Sequence, residues 1–269
     1  MKKLATALVS AAAIMTMPTT AFAAENPAEV FDRVMEKNNT IQSAEIQSGV
    51  HSVILAKDVI PDGQMKVDMA MHAEMDMQDT TDLKYLAQVA SSILGQDSYS
   101  QVFYTDGYYY VDSNGVKLKY PMPLEQIVSS VQTGVNTSNM ESSYMKGISL
   151  NEVNGKRVLA YEANPKKLNK NVKEALGTVM NTLGTDVNLD MNIQEMKGAY
   201  VLDDNDYIIY MTNYIVYNME VLDQPMTCIT LMETEVQNPG EPVVVTLPST
   251  DGYEDLIGLY DGVIESEVE

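Results

Sequence analysis

From Met65 to Met77 the chain alternates without a break. Met65, Val67, Met69, Met71, Ala73, Met75 and Met77 hold the odd positions, and Lys66, Asp68, Ala70, His72, Glu74 and Asp76 the even ones. A period of two kept over thirteen residues cannot form one face of a helix; it marks a β-strand with one wetter side. At ~3.3 Å per residue the strand is roughly 43 Å long. Strands of that length belong to strongly twisted or curved antiparallel sheets rather than to a compact parallel one.

Similar patterns recur along the chain. Ala44–Lys57 reads as a strand paired with Met65–Met77 across the turn Pro61-Asp62-Gly63. Ser98–Tyr104, Tyr108–Asp112 and Val116–Tyr120 are separated by Asp106-Gly107 and Asn114-Gly115, both hairpin signals. Ser142–Val153 and Arg157–Ala163 flank Asn154-Gly155, and Asn188–Met196, Gly198–Leu202, Tyr207–Leu222, Met226–Val236 and Val243–Leu247 complete the strands. Four segments read as helices. Pro27–Gln42 follows the N-cap Asn26, and Thr81–Leu94 has apolar residues at helical spacing and Gly95 as its stop. Pro123–Val131 is the third, and a stripe from Leu168 to Leu183 behind Asn164-Pro165 is the fourth. No linker divides the chain. The expected fold is α+β: one domain over 24–250, with a single curved antiparallel sheet wrapped around a few helices, and an acidic tail over 251–269.

Residues 1–23 read as a secretory signal peptide. Lys2 and Lys3 precede an apolar run from Leu4 to Met17, and Ala21-Phe22-Ala23 offers a cleavage site. Cleavage after Ala23 leaves 246 residues with a net charge of −23. No Cys stands directly after that site to carry a lipid, and no later segment reaches the ~20 apolar residues of an anchor, so a secreted chain with no stable membrane anchor is expected. The 269 residues carry 38 Asp and Glu against 17 Lys and Arg, a balance that repels nucleic acid and anionic membranes. One cysteine, Cys228, excludes an internal disulfide and multi-Cys metal sites.

The order helix, long Met-rich strands, tyrosine hairpin, helix, strands and closing Val-Val-Val-Thr-Leu-Pro resembles the secreted or lipid-anchored Gram-positive relatives of the LolA, LolB and LppX/LprG carriers. The residues that carry the resemblance are Glu25-Asn26-Pro27, the Met65–Met77 strand, Thr105-Asp106-Gly107-Tyr108-Tyr109-Tyr110-Val111-Asp112 with Lys117–Pro123, and Thr246-Leu247-Pro248-Ser249. The resemblance implies an unclosed half-barrel with an apolar space between sheet and helices. It also implies a non-enzymatic carrier of acyl chains or lipoprotein lipids. The lipidation Cys of the anchored members is missing here.

Of 19 methionines, 16 follow the cleavage site. Flexible thioethers mould to varied apolar ligands, fill cores, or bind Cu(I). For the Met65–Met77 strand, copper is disfavoured because alternation points His72 away from Met71. The candidate ligand-binding residues are Met69, Met71 and Met75 on that strand and Ile209, Met211, Ile215 and Met219 on Tyr207–Leu222, each set taken as one in-phase row. Carboxylates are scattered without the pairing a glycosidase needs, and Asp203-Asp204-Asn205-Asp206 reads as a turn rather than a calcium loop. Gly-x-Ser-x-Gly and phosphate-loop motifs are missing, so no enzyme activity, cofactor or metal is expected. The expected function is an exported monomer holding a lipid or other apolar ligand. The alternative is an extracellular protein–protein interaction module with a solid core.

Overall fold

The computed structural model describes residues 25–56, 60, 62–79, 83–123, 140–170, 191–221 and 224–256. The expected signal peptide, the third expected helix beyond Pro123, most of the fourth, and the tail beyond residue 256 lie outside them.

A helix, α1 (Pro27–Asn38), opens the described chain. Asn26 caps it: its Oδ1 accepts the Ala28 N–H at 3.1 Å, and its carbonyl accepts Val30 N–H at 3.0 Å. Twelve strands follow: β1 (Ser43–Leu55), β2 (Gln64–Asp76), β3 (Lys84–Ile93), β4 (Gln96–Thr105), β5 (Tyr108–Ser113), β6 (Val116–Pro121), β7 (Met145–Val153), β8 (Lys156–Ala163), β9 (Met191–Leu202), β10 (Ile208–Val221), β11 (Gln224–Gln237) and β12 (Glu254–Asp255). They hydrogen-bond in the order β12-β6-β5-β4-β3-β2-β1-β11-β10-β9-β8-β7. The pairs from β3 to β6 and from β7 to β11 are antiparallel, whereas β12 runs parallel to β6. The long alternating segment is β2 as expected, with Ala73, Met75 and Met77 buried and the even positions wetter.

The α+β expectation needs correction. Among the described residues the chain is nearly all β, and where the second helix is expected, over Thr81–Leu94, Lys84–Ile93 form strand β3. Its apolar spacing fits a helix, but Leu86 opposite Phe103 and Tyr85 opposite Tyr104 in β4 offer cross-strand burial that a lone helix would lack. The glycine taken as a helix stop belongs to the hairpin turn Leu94-Gly95, with φ of 53° and 77°. Helix C-caps and primed hairpin turns use the same left-handed backbone, so Gly95 alone does not separate them. The fourth helix starts where expected: 165–170 are helical, and Asn164 Oδ1 accepts Lys166 N–H at 3.1 Å. Val243–Leu247 joins no ladder, and Asn188–Leu202 holds one strand, β9, rather than two.

The described chain groups into two compact units. The first comprises residues up to Asn38, Gly49–Asp68 and Asn139–Glu235. Its core joins Val30, Phe31, Val34 and Met35 of α1 to Leu159 and Tyr161 of β8, Tyr200 and Leu202 of β9, and Ile208 and Met211 of β10. Phe31 meets Tyr161 edge-on at 5.8 Å, and Tyr161 stacks on Tyr200 at 5.2 Å. An ion cluster ties the end of this core: Arg33 and Arg157 each pair with both Glu25 and Asp206. The second unit comprises Asn39–Ser48, Met69–Ser138 and Val236 onward. Its core contains Leu86, Phe103, Tyr110, Val245 and Tyr253, with Phe103 and Tyr110 stacked at 4.6 Å and Tyr253 edge-on to both. Tyr253 thus draws the start of the expected acidic tail into a core, and Asp255 ends a strand.

Candidate ligand-binding face

The first unit carries a sheet face on β9, β10 and β11 that the register defines residue by residue. Directly opposed pairs share a face. On β10, Met211, Asn213, Ile215, Tyr217 and Met219 look one way. Opposite them on β9 stand Tyr200, Gly198, Met196, Ile193 and Met191, and on β11 Thr234, Met232, Thr230, Cys228 and Met226. None of these fifteen carries a charge. The other face of the same strands holds Glu195, Lys197, Glu233 and Glu235.

Two bulges shape this face. At the first, Ile208 opposes Leu202 and Tyr210 opposes Val201, so Ile209 is the extra residue on β10. The phase slips by one, and Ile208 rather than Ile209 enters the core beside Met211. The row expected from Ile209 through Met219 therefore starts at Met211. At the second, Gln194 is the extra residue on β9. There Asn169 stands in for a strand partner: its Oδ1 accepts Ile193 N–H at 2.6 Å, and its Nδ2 donates to Ile193 O at 2.9 Å.

Burial is uneven along the face, with Ile193 and Cys228 buried among half-buried neighbours. Tyr200 and Met211 are in the closed aromatic core. There the Tyr161 hydroxyl donates to Asn213 Oδ1, and the bond passes over Gly198. Burial pushes the Tyr200 hydroxyl up to about 12 and raises that of Tyr161 as well. Ile215, Tyr217 and Met196 are half-buried against the rim of this core. Met191, Met219 and Met226, farther along, are half-buried too. Cys228 is buried, and its Sγ lies 3.7 Å from Met219 Sδ. Burial raises the Cys228 thiol against the lowering effect of its hydrogen bond with Tyr217, and Tyr217 is raised first by burial and then by that contact.

Of the seven expected ligand residues, Met211, Ile215 and Met219 share this face, and Ile209 sits at the bulge. Met69, Met71 and Met75 belong to the second unit. Met75 is 1% exposed, Met71 is half-buried and Met69 is 40% exposed, so the three do not form one uniformly buried row. Sequence reasoning missed Met191, Met196, Met226 and Met232. Alternation of Met226, Cys228 and Met232 was visible, but the register that sets them opposite β10 was not.

Each histidine faces carboxylates: His51 Nδ1 is 2.7 Å from Asp68, and His72 Nε2 is 3.1 Å from Glu45 and 3.9 Å from Glu74. Among the described residues no group of three or more His, Cys, Asp or Glu is placed to hold a metal ion. No helix among them is long and apolar enough to cross a membrane.

The ladder defines a mostly β protein of antiparallel hairpins with one uncharged, sulfur-rich face. The chain belongs to the family described as a family of unknown function (DUF6612), which matches residues 26–248. No curated protein matches. Similar solved structures include LprF from Mycobacterium bovis, at 10% identity and TM-score 0.35, covering 83% of this chain and 97% of that one. Another is a beta-barrel-like protein of a domain of unknown function, DUF1849, from Brucella abortus, at 11% identity and TM-score 0.24, covering 74% of this chain and all of that one. Both scores lie below 0.5, so the fold rests on the strand ladder itself.

Proposed function

We propose that this is an exported, non-enzymatic binding protein that holds a lipid or another apolar ligand on the β9–β11 face. One observation carries the reading: Ile215, Tyr217, Met196, Met191, Met219 and Met226 form an uncharged surface that is only half-buried while the core beside it is closed. Apolar side chains at such a rim gain by covering a ligand. Methionine, with three soft torsions, adapts to ligands of varied shape. Sequestering roughly 300 Å² of an acyl chain contributes about 7 kcal/mol before the costs of ordering it. Micromolar capture needs about 8 kcal/mol net of those costs, so a longer stretch of acyl chain than this must be covered. The signal peptide supports export, and the lack of charge on this face supports an uncharged tail rather than a headgroup as the part held.

Native mass spectrometry of protein from its own host is the test. An adduct of lipid mass is expected. Ile215→Asp places a carboxylate among these side chains and should cut its occupancy roughly tenfold while the far-ultraviolet circular dichroism stays native. A bare chain across several preparations, with no lipid extracted from bacterial membranes, refutes the reading and leaves the solid-core interaction module.

A further inference from the structure

The far end of the same face holds four sulfur atoms, and their placement goes beyond what an apolar ligand requires. Met191 of β9 is directly opposite Met219 of β10, and Met219 is directly opposite Met226 of β11. Three methionines therefore stand in one row across three adjacent strands. Opposed Cβ atoms lie about 4.5–5.5 Å apart, and a thioether sulfur one methylene further out has the freedom to close that gap. Cys228 is two residues past Met226 and so projects from the same face. Its Sγ is 3.7 Å from Met219 Sδ.

We propose that Met191, Met219, Met226 and Cys228 form a binding site for one soft monovalent cation, of which Cu(I) is the physiological candidate. Thioether and thiolate ligands select Cu(I) over the harder divalent ions, which favour imidazole or oxygen. The spacing fits. Two sulfurs bound to one metal at about 2.3 Å in tetrahedral geometry sit about 3.8 Å apart, close to the separation of Cys228 from Met219. The charge fits as well. Among the described residues of β9, β10 and β11 no carboxylate shares this end of the face, since Glu220, between Met219 and Val221, points to the other side. A monovalent ion with one thiolate and three neutral thioethers is neutral overall, whereas a divalent ion would leave an unbalanced charge among apolar groups. The Cys228 Sγ–H proton leaves to solvent as the metal–sulfur bond forms, so binding releases one proton.

The site shares Met191, Met219 and Met226 with the proposed lipid-binding face, but the two readings are tested separately. Met→Leu changes remove a sulfur ligand but keep an apolar side chain of similar volume, so a lipid adduct should survive them. The test uses the mature protein with Ag(I), which has the same ligand preference and no redox chemistry, and with Cu(I) held reduced by ascorbate against a bicinchoninate competitor. One tightly bound ion per chain is expected. Met219→Leu, Met226→Leu and Cys228→Ser should each weaken it at least tenfold, while Met122→Leu leaves it unchanged. X-ray absorption of the Cu(I) form should show an all-sulfur first shell near 2.3 Å. Unchanged affinity in Met219→Leu and Met226→Leu, uptake spread over many weak sites, or a nitrogen or oxygen first shell would each overturn the proposal.

Discussion

Gly198→Ala is the substitution the core geometry opposes most directly. Gly198 lies on β9 between Tyr161 of β8 and Asn213 of β10, and the Tyr161–Asn213 hydrogen bond crosses above its Cα. A Cβ built there meets Asn213 Oδ1 at 2.5 Å, Thr212 O at 2.5 Å and Tyr161 Oη at 2.8 Å, where ordinary contact begins near 3.4 Å. Each of the two nearest oxygens would have to retreat by about 0.9 Å. Asn213 can swing, but the Thr212 carbonyl is backbone inside a ladder whose strands are held about 4.8 Å apart. Overpacking of this kind costs about 1–3 kcal/mol. Displacing Asn213 strips a buried hydroxyl of its acceptor, a further cost of about 1–3 kcal/mol. The expected loss is therefore about 2–6 kcal/mol, lowering the urea midpoint by roughly 1–2 M. Equilibrium unfolding followed by circular dichroism measures it. Gly147→Ala is the control: nothing lies within 4 Å of the added Cβ, so its effect should stay within about 1 kcal/mol. Adding Asn213→Ala to Gly198→Ala should recover only part of the loss, because the Thr212 carbonyl remains in place. A Gly198→Ala midpoint indistinguishable from that of Gly147→Ala would refute the reasoning.

Two more outcomes follow from local geometry. For Asp206, burial raises the carboxyl, but the hydrogen bonds and charges of Arg33 and Arg157 outweigh it and hold the group below its ordinary 3.8. A depressed carboxylate contributes stability that is present above the unfolded value and lost as pH falls through the folded one. Wild type should therefore lose stability below about pH 4 faster than Asp206→Asn, which starts about 1 kcal/mol lower at pH 7; parallel acid-unfolding curves would contradict this. Leu94 sits at φ 53° on a hairpin tip and is 70% exposed, whereas the other non-glycine residues with positive φ among the described residues are all Asn or Asp. Leu94→Asn should stabilise by about 1 kcal/mol and raise Tm by roughly 2–4 °C; a fall in Tm would show that the leucine side chain contributes packing its exposure does not reveal.

The strands were legible because alternation is a local property. Met65–Met77 announces a period of two that survives any partner; Tyr108–Asp112 and Arg157–Ala163 are short runs rich in aromatic or β-branched residues, and Asn114-Gly115 and Asn154-Gly155 bring the left-handed hairpin turns. Thr81–Leu94 was misread because its apolar spacing satisfies a helix as well as a strand, and only the Phe103 and Tyr104 partners decide between the two. Ile209 was misplaced for a different reason: a bulge inserts one residue without any mark in composition, and every position beyond it changes face.

What the amino-acid order determined by itself was the β character of the chain, the turns that end its hairpins, the acidic balance and the wealth of sulfur. Tertiary structure alone decided which sulfurs meet. Met191, Met219 and Met226 are 28 and 7 residues apart in sequence, and nothing in their local patterns sets one against another. Register does so, through backbone hydrogen bonds that are blind to side-chain identity and through the two bulges that reset the phase of β9 and β10. Hydrophobic periodicity tells a strand which side to bury; only its neighbours tell it what to bury that side against.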